Sequence, residues 1–375
     1  MGCHKTFQFR LYPTKKQVNA LQLCLDACRW VYNKTLETRK QAWAERKESL
    51  SYYDIGRILT NQWKQDKPDL YDIYARCLGD AVLRVDLAFK SFFRRVKKGE
   101  KPGYPRFKGS DGYDSITYPG TGFGIIDNRL QLSKIGSVRI KKHREIEGVI
   151  KSVNIHRIGE KWYANFVCEI EPVPLPKVKA VVGIDVGLTS FATLSDGEKI
   201  DNPRFFKASE KKLAKAQRRL SKSTKGSPDR KKQKKKVSNI YTKMANKRKD
   251  FAHKLSRKLV NQYQVIAFEE LDIKNMIENH TECFGYKLNK SIGDVAWNQF
   301  MQYTAYKAEY AGRSVVFVDP RNTSKKCSRC GQIVDKNLSV RVHSCSCGLT
   351  LDRDHNAAIN ILALGMKSLL RLNAL

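Results

Sequence analysis

Four cysteines near the C-terminus carry the clearest chemical pattern in the sequence. Cys327 and Cys330 form a Cys-x-x-Cys-Gly knuckle, and Cys345 and Cys347 form a Cys-x-Cys-Gly knuckle fourteen residues later. Four thiolates at this spacing are typical of a tetrahedral zinc site, and a closed set of four leaves no open position for catalysis. His343 is a possible substitute ligand, although four cysteines suffice. The pattern therefore predicts one structural Zn²⁺.

Carboxylates at the ends of apolar segments form a second pattern. Asp185 lies within AVVGIDVG, Glu269 and Glu270 end QVIAFEE, and Asp352 and Asp354 precede NAAINIL. A buried carboxylate is costly unless a metal ion or a proton compensates it. Nucleases that use two Mg²⁺ ions take carboxylate ligands from separate segments of the chain. The pattern favours such a site, but the residues alone do not decide within either pair, and Asp352 equally suits a helix N-cap.

The C-terminal half, which carries these residues, has a mixed α/β periodicity. From Val181 onward the pattern predicts two strands, then helices, a strand, a helix over 294–311, a strand at 314–320 and a last helix. This order predicts a mixed sheet flanked by helices. Residues 204–258 contain 22 Lys and Arg but three acidic residues, and STKGSPD at 223–229 divides them into a helical hairpin. The second arm carries an apolar stripe, Val237, Ile240, Met244, Phe251, Leu255 and Leu259.

The N-terminal half begins with a strand and a long helix. KTFQFRLY at 5–12 alternates apolar and polar residues, and Thr14 with Gln17 forms a capping box for the helix that follows. Cys24 and Cys28 lie four residues apart on this helix. We interpret them as core residues, because no third ligand is near.

Helices and then short strands follow in the sequence. Residues 52–99 read as mostly helical, with an apolar seam made of Val82, Val85, Phe89, Phe92 and Val96. Residues 116–171 predict several short strands, and PVPLPK at 172–177 is typical of a stiff linker.

The charge balance indicates a polyphosphate partner. Lys and Arg number 71 against 37 Asp and Glu, so the net charge is +34. No enzyme that acts on small molecules needs so large a positive charge, whereas such a charge attracts the phosphates of nucleic acid. The segment 97–109 interleaves Tyr104 with Arg106 and Lys108, which suits base stacking beside phosphate neutralisation, although a plain basic linker fits as well. No apolar run is long enough to span a membrane, and the scattered cysteines suit a reducing cytoplasm.

Several motifs together resemble the TnpB family of RNA-guided nucleases encoded by bacterial and archaeal insertion sequences, which are similar to the ancestors of type V CRISPR effectors. The motifs are FRLYPTKKQ and ACRWVYN, GYPRFKG, GIDVG, FEELDIKNM, TSKKCSRCG with CSCG, and DRDHNAAINIL. Their order along nearly the whole chain is specific, whereas any single motif is not. The second knuckle departs from the family pattern, since many members have Cys-x-x-Cys there.

The resemblance implies an α+β multidomain fold. Residues 1–13 and 106–175 would form a wedge β-barrel, with a helical recognition insertion at 14–105. Residues 176–323 and 351–375 would form an RNase H-like, RuvC-type mixed α/β nuclease domain, into which a zinc ribbon at 324–350 is inserted.

The resemblance also implies the activity and the catalytic residues. Asp185, Glu269 and Asp354 would hold two Mg²⁺ ions for cleavage of double-stranded DNA. A guide RNA from the transposon end would pair with the target strand, and the protein would read a short adjacent motif. The basic hairpin would line the RNA–DNA channel, for which we select Arg218, Arg219, Lys231 and Lys235.

We expect a monomer with its RNA, in the nucleoid-associated cytoplasm of a bacterium or archaeon. Two alternatives stay open: a nuclease-silent, RNA-guided DNA-binding regulator, and a guide-independent transposase or resolvase of the same fold.

Overall fold

The chain divides into two units. The computed structural model describes residues 3–272, 293–337 and 340–373. Met1–Glu171 form the first unit and Pro172–Leu375 the second, so the predicted linker at 172–177 begins at the division.

The first unit contains one antiparallel sheet of seven strands. Alternation buries Phe7, Phe9 and Leu11 on one face of the first strand, as predicted. The order is β2-β6-β7-β1-β5-β4-β3. Tyr118 of β2 donates a hydrogen bond to the Ser133 carbonyl (3.1 Å) beside β4, so the two ends of the sheet approach each other in a half-barrel. The strands are β1 Cys3–Tyr12, β2 Ser115–Pro119, β3 Phe123–Ile126, β4 Arg129–Leu132, β5 Gly136–Lys141, β6 Val149–Ile158 and β7 Lys161–Ile170.

Four helices lie between the first and second strands of this unit. They are α1 Lys15–Arg46, α2 Tyr52–Ile58, α3 Lys64–Asp66 and α4 Ala75–Lys97, with a π-helical turn at Leu59–Trp63 and 3-10 turns at Pro68–Asp72 and Ser110–Gly112. The capping box of Thr14 and Gln17 is confirmed. Cys24 and Cys28 are buried in the core, as predicted. The predicted seam of α4 is buried as far as Phe89, whereas Val96 in the last turn is exposed.

The second unit contains a mixed sheet of five strands. The strands are β8 Val181–Val186, β9 Ser190–Leu194, β10 Lys199–Asp201, β11 Val265–Glu269 and β12 Ser314–Val318. The order β10-β9-β8-β11-β12, with β8, β11 and β12 parallel, is that of an RNase H-like sheet. A two-stranded ribbon, β13 Val342–Ser344 with β14 Thr350–Asp352, carries the second cysteine knuckle in its turn.

Helices cover both faces of the mixed sheet. They are α5 Phe205–Lys222, α6 Pro228–Gln262, α7 Trp297–Tyr310 and α8 Arg353–Asn373. The predicted hairpin is confirmed as α5 and α6, and Ser227 caps α6 by accepting a hydrogen bond from the Arg230 N–H. The apolar stripe of α6 is buried at Met244, Leu255 and Leu259 but only partly at its N-terminal end.

One helix start differs from the prediction. Residues 293–295 are helical, but the helix expected from Asp294 is interrupted at Ala296, which adopts a left-handed backbone conformation (φ 53°), so that α7 begins at Trp297. The Asp294 carboxylate instead accepts a hydrogen bond from the Phe206 N–H (2.7 Å) in the first turn of α5.

The predicted fold class is confirmed: a mixed α/β domain with a ribbon-borne cysteine cluster, and a curled β-sheet with a helical insertion. The four domain boundaries stay a prediction. Within the described residues we find no helix that combines the length and the apolarity needed to cross a bilayer.

Candidate active site and cysteine cluster

Strand alternation brings two of the acidic residues to one face of the mixed sheet. On β8 and β11, Val182, Ile184, Ile266 and Phe268 point into the core formed with α6 and α7. The residues between them point the other way. The parallel register ends with Phe268 paired to Ile184, and continuing it by one residue would place Glu269 opposite Asp185. Both carboxylates therefore lie on the face opposite α6 and α7.

Helix α8 covers that second face and brings Asp354 to it. Ile361 of α8 packs with Ala267 and Val318 of the sheet. Glycine permits an unusually close approach: a Cβ on Gly365 would lie 2.6 Å from the Cβ of Ala267. Asp354 lies in the first turn of α8, so the N-terminal end of this helix adds the third carboxylate beside Asp185.

The three carboxylates interact electrostatically. Burial raises the pKa of Asp185 well above its ordinary range, and the charges of Glu269 and Asp354 raise it further. Burial also raises the pKa of Glu269, against the effect of a hydrogen bond from Thr323. Like charges in a desolvated site each favour the protonated form of the others. A divalent cation would relieve both costs, and oxygen ligands suit a hard ion such as Mg²⁺.

The structure separates the members of both acidic pairs. Asp352 caps α8, because its Oδ1 accepts hydrogen bonds from the backbone N–H groups of Asp354 (3.0 Å) and His355 (3.2 Å). Its Oδ2 lies 2.7 Å from the Nζ of Lys199. Burial opposes ionisation, but these bonds hold the pKa of Asp352 below its ordinary value. Glu270 is exposed, and alternation directs it away from Asp185.

Thr323 contacts the carboxylate site, and sequence reasoning missed it. This residue is buried, and its hydroxyl donates a hydrogen bond to Oε1 of Glu269. The same Oγ1 lies 3.1 Å from the carbonyl oxygen of Pro320. The only signal in the sequence was its position, between the end of a strand and the first cysteine knuckle.

The four predicted cysteines converge. Their Sγ atoms all lie within 4.8 Å of one another, and within the described residues they are the one group that meets this condition. Cys327 and Cys347 are 3.7 Å apart, and Cys330 and Cys345 are 3.6 Å apart. A tetrahedron of thiolates around Zn²⁺ at 2.3 Å has edges of about 3.8 Å. The spacing of the thiols therefore fits one zinc ion.

The turns of the two knuckles and the side chain of His343 surround this cluster. Gly331 and Gly348, which follow the knuckles, have φ values of 81° and 84°, as tight turns require. His343 is fully buried beside Cys327, but it is not a member of the four-ligand group. Desolvation opposes ionisation of Cys327, yet backbone N–H groups and the neighbouring His343 lower its pKa to about 5.

The predicted nucleic-acid contacts lie at the surface of each unit. Tyr104, Arg106 and Lys108 are exposed in a segment without regular secondary structure. Asn33 holds this segment on α1 through two hydrogen bonds with the backbone of Lys108, 2.8 and 3.0 Å long. Lys40 of α1 lies 5.8 Å from the ring centre of Tyr104. In the second unit the solvent-exposed side of the α5–α6 hairpin carries Arg218, Arg219, Lys231 and Lys235.

These features define a class of protein. An RNase H-like sheet with clustered carboxylates at its strand ends, joined to a four-cysteine ribbon, is the architecture of a nuclease domain with a zinc-ribbon insertion. Three family descriptions match the chain: a helix-turn-helix domain at residues 1–48, "Probable transposase" (OrfB_IS605) at 165–280, and a Cas12f1-like TNB domain at 297–361.

Two relatives cover nearly the whole chain. A Streptomyces pristinaespiralis protein named "Putative RNA-guided DNA endonuclease" is 36% identical over 96% of this chain and 89% of its own length. The Escherichia coli K12 protein "Putative RNA-guided DNA endonuclease InsQ" is 30% identical over 96% of this chain and 92% of its own length. The chain belongs to the TnpB family.

A solved structure is also similar over most of the chain. "Structure of the mini-RNA-guided endonuclease CRISPR-Cas_phi3" matches 97% of this chain and 92% of its own, with 9% identity and a TM-score of 0.49.

Proposed function

We propose that this protein is an RNA-guided DNA endonuclease, and that Asp185, Glu269 and Asp354 form the site at which it hydrolyses phosphodiester bonds. The observation that carries the proposal is the convergence of three carboxylates, from two parallel strands and one helix start, on one face of the sheet. The names of the relatives support this activity. The net charge of +34 supports a polyphosphate substrate.

Carboxylate oxygens from three separate elements would suit a site for two Mg²⁺ ions. Such ions, when bound, supply an activated water and stabilise the leaving oxygen of a phosphodiester. The protein keeps the ligands in place by ordinary means. Glu269 is oriented by the Thr323 hydroxyl, Asp185 by its central strand, and Asp354 by a helix start that Asp352 caps.

The four cysteines would hold a single structural Zn²⁺. The four thiolates would fill all four positions of a tetrahedral ion, so the ion would have no open position for substrate. Its role is to hold together two knuckles that lead directly into the acidic site.

The basic surfaces would bind the nucleic acids. The four exposed cations of the α5–α6 hairpin neutralise phosphates along the guide–target duplex, which is a sequence-independent contact. In the first unit Lys40 lies 5.5 Å from the exposed ring of Phe107 as well as near Tyr104. Exposed rings flanked by cations suit stacking of unpaired bases beside their phosphates.

The guide would be an RNA copied from the transposon end, and the target would be double-stranded DNA beside a short motif. The protein would act as a monomer with its RNA, in the nucleoid-associated cytoplasm of a bacterium or archaeon. Cleavage would support maintenance of the insertion sequence.

The decisive experiment copurifies the protein with RNA expressed from its own downstream DNA and sequences that RNA. The particle is then incubated with Mg²⁺ and a plasmid library that carries a guide match beside randomised flanks. We expect guide-dependent loss of plasmids with a few flanking sequences, and no loss with the Asp185→Ala particle.

Two other outcomes would contradict the proposal. Tight, guide-dependent target binding by the wild-type particle without cleavage would indicate the regulator instead. Cleavage that survives removal of the RNA would indicate a guide-independent transposase or resolvase.

A further inference from the structure

Helix α8 carries two asparagines that serve no purpose in the helix itself. Asn356 and Asn360 lie four residues apart, hence on one face, and both are buried. Asparagine is a poor helix former, and a buried amide is costly without hydrogen-bond partners. Their positions therefore need an explanation outside α8.

The amides of both asparagines bind the segment 323–328, which precedes and enters the first cysteine knuckle. Asn360 uses its two Nδ2 hydrogens on the carbonyl oxygens of Thr323 (2.8 Å) and Lys326 (2.7 Å). Asn356 donates to Lys326 O (2.8 Å) and accepts from Ser328 N (3.0 Å). Four hydrogen bonds thus attach this segment to the helix that carries Asp354.

The attached segment reaches the active site at one end and the cysteine cluster at the other. Its first residue, Thr323, donates its hydroxyl proton to Glu269. Asn356 binds the backbone of Lys326 and of Ser328, the two residues on either side of Cys327. A hydrogen-bonded connection therefore runs from Glu269 through Thr323 to the segment around Cys327, and Asn356 and Asn360 attach this segment to the helix that carries Asp354.

The second knuckle reaches Asp354 by a shorter path. Strand β14 follows Cys347 closely and ends at Asp352, whose carboxylate caps α8. The two knuckles thus each lead to one carboxylate, Glu269 or Asp354. Thiolates bound to one ion cannot separate, so the ion would restrict the distance between those carboxylates.

We propose that Thr323, Asn356 and Asn360 are positioning residues that hold Glu269 in register with Asp354 and make divalent-ion affinity at the carboxylates depend on the cysteine cluster. This inference rests on the proposed function. The hydroxyl of Thr323 orients one ligand, and the asparagine amides transmit the position of the first knuckle to it.

The test compares Thr323→Val, which keeps the shape and removes the hydroxyl, with Thr323→Ser, which keeps the hydroxyl. The matched control is Thr304→Val, because Thr304 is also buried but its hydroxyl donates within its own helix, to Phe300 O (3.0 Å). A second pair, Asn360→Ala and Asn360→Gln, probes the attachment should Thr323→Val not fold.

Two readouts are taken on each RNA-loaded particle. The first is the Mg²⁺ concentration that gives half-maximal cleavage, with kcat at saturating Mg²⁺ measured separately. The second is Mn²⁺ binding followed by electron paramagnetic resonance, from which the signal of the Asp185→Ala particle is subtracted to remove ions bound to RNA. Zinc content and guide-RNA binding are measured in parallel.

We expect Thr323→Val and Asn360→Ala to raise both half-saturating concentrations about tenfold, equivalent to about 1.4 kcal/mol of binding free energy. Zinc content and RNA binding should stay at one ion and one RNA per chain, as in the wild type. Thr323→Ser should remain within about twofold of the wild type, because a charge-assisted hydrogen bond is retained. Thr304→Val should not change the metal dependence.

The outcomes separate the inference from the function on which it rests. A wild-type particle that cleaves, with Thr323→Val and Asn360→Ala variants of unchanged Mg²⁺ and Mn²⁺ dependence, would overturn the inference alone. Equal shifts in Thr304→Val and Thr323→Val would also overturn it, since the effect would then be general loosening. A wild-type particle without guide-dependent cleavage would overturn the proposed function itself.

Discussion

Gly183 of the central strand lies directly against the backbone of Ala358 in helix α8. A Cβ at Gly183 would overlap the Ala358 carbonyl oxygen and would lie 2.5 Å from the backbone nitrogen of Leu362. The strand carries Asp185 two residues later, and the helix carries Asp354 one turn earlier. The close approach of this strand and this helix, which carry the two carboxylates, therefore requires a residue without a side chain at position 183.

Gly183→Ala should push α8 away from the sheet and separate Asp354 from Asp185. We expect a loss of about 2 kcal/mol or more in stability, because the clash is with backbone that cannot rotate aside, and at least a tenfold loss of cleavage. Gly124→Ala is the control, since a Cβ there meets nothing within 4 Å. Thermal unfolding and cleavage rates measure both effects. Wild-type cleavage by the variant would show that the close approach does not position the site.

The carboxylates of Asp352 and Asp354 have different roles, which conservative substitutions can separate. Asp352→Asn keeps an acceptor for the helix N-cap, and asparagine is a good capping residue, so cleavage should stay within a few fold of the wild type. Asp354→Asn removes a charged metal ligand and should abolish cleavage. Asp352→Ala should lower stability by about 1 kcal/mol. The opposite order of activities, with Asp352→Asn inactive and Asp354→Asn active, would exchange the assignments.

The raised pKa of Asp185 predicts a pH-dependent stability. A carboxyl group whose pKa is higher in the folded state holds its proton more tightly there. Its contribution to stability therefore falls as the pH rises from the ordinary pKa of 3.8 through the pKa of the folded state. Asp185→Asn stays neutral at every pH. We therefore expect the melting temperature of this variant to exceed that of the wild type by an amount that grows as the pH rises above about 4 in Mg²⁺-free buffer.

Added Mg²⁺ should narrow this difference, because it stabilises the ionised wild-type site and not the variant. EDTA is unsuitable for this experiment, since it also competes for zinc. A melting-temperature difference that does not change with pH would contradict the claim that burial raises the pKa of Asp185.

Cys327 is the buried member of the cysteine cluster, and its loss should affect the folding of the protein outside the ribbon as well. Cys327→Ser should remove zinc and yield insoluble or poorly folded protein, because metal binding at such sites contributes directly to folding. Cys3→Ser, at a cysteine outside the cluster, is the control. Zinc content by atomic absorption and the soluble fraction are the measurements. Normal solubility with undiminished zinc would contradict the four-thiolate site.

The exposed cations of the α5–α6 hairpin should act through phosphate charge. Replacing Arg218, Arg219, Lys231 and Lys235 with alanine should weaken guide-RNA binding and reduce the slope of log K against log salt by about 0.7 for each phosphate that is no longer neutralised. The melting temperature of the free protein should hardly change, since these side chains are exposed. An unchanged salt slope would place the nucleic acid elsewhere.

Local sequence determined much of this protein. Alternation predicted the strand that carries Phe7 and Phe9, and Thr14 with Gln17 predicted the start of α1, because such signals act within a few residues. The spacing of the cysteines predicted their cluster for a related reason: each knuckle is a tight local turn, and only one pairing of two knuckles is available.

Tertiary structure decided what depends on contacts between distant segments. The local pattern already allowed Asp352 as a helix cap, but only the docking of α8 on β8 brought the carboxylate of Asp354 beside Asp185. The start of α7 was missed because the helix is interrupted at Ala296, whose left-handed conformation has no local signal in the sequence. Thr323, Asn356 and Asn360 were overlooked for the same reason, since a neutral side chain has no chemical signature until the fold supplies its partner.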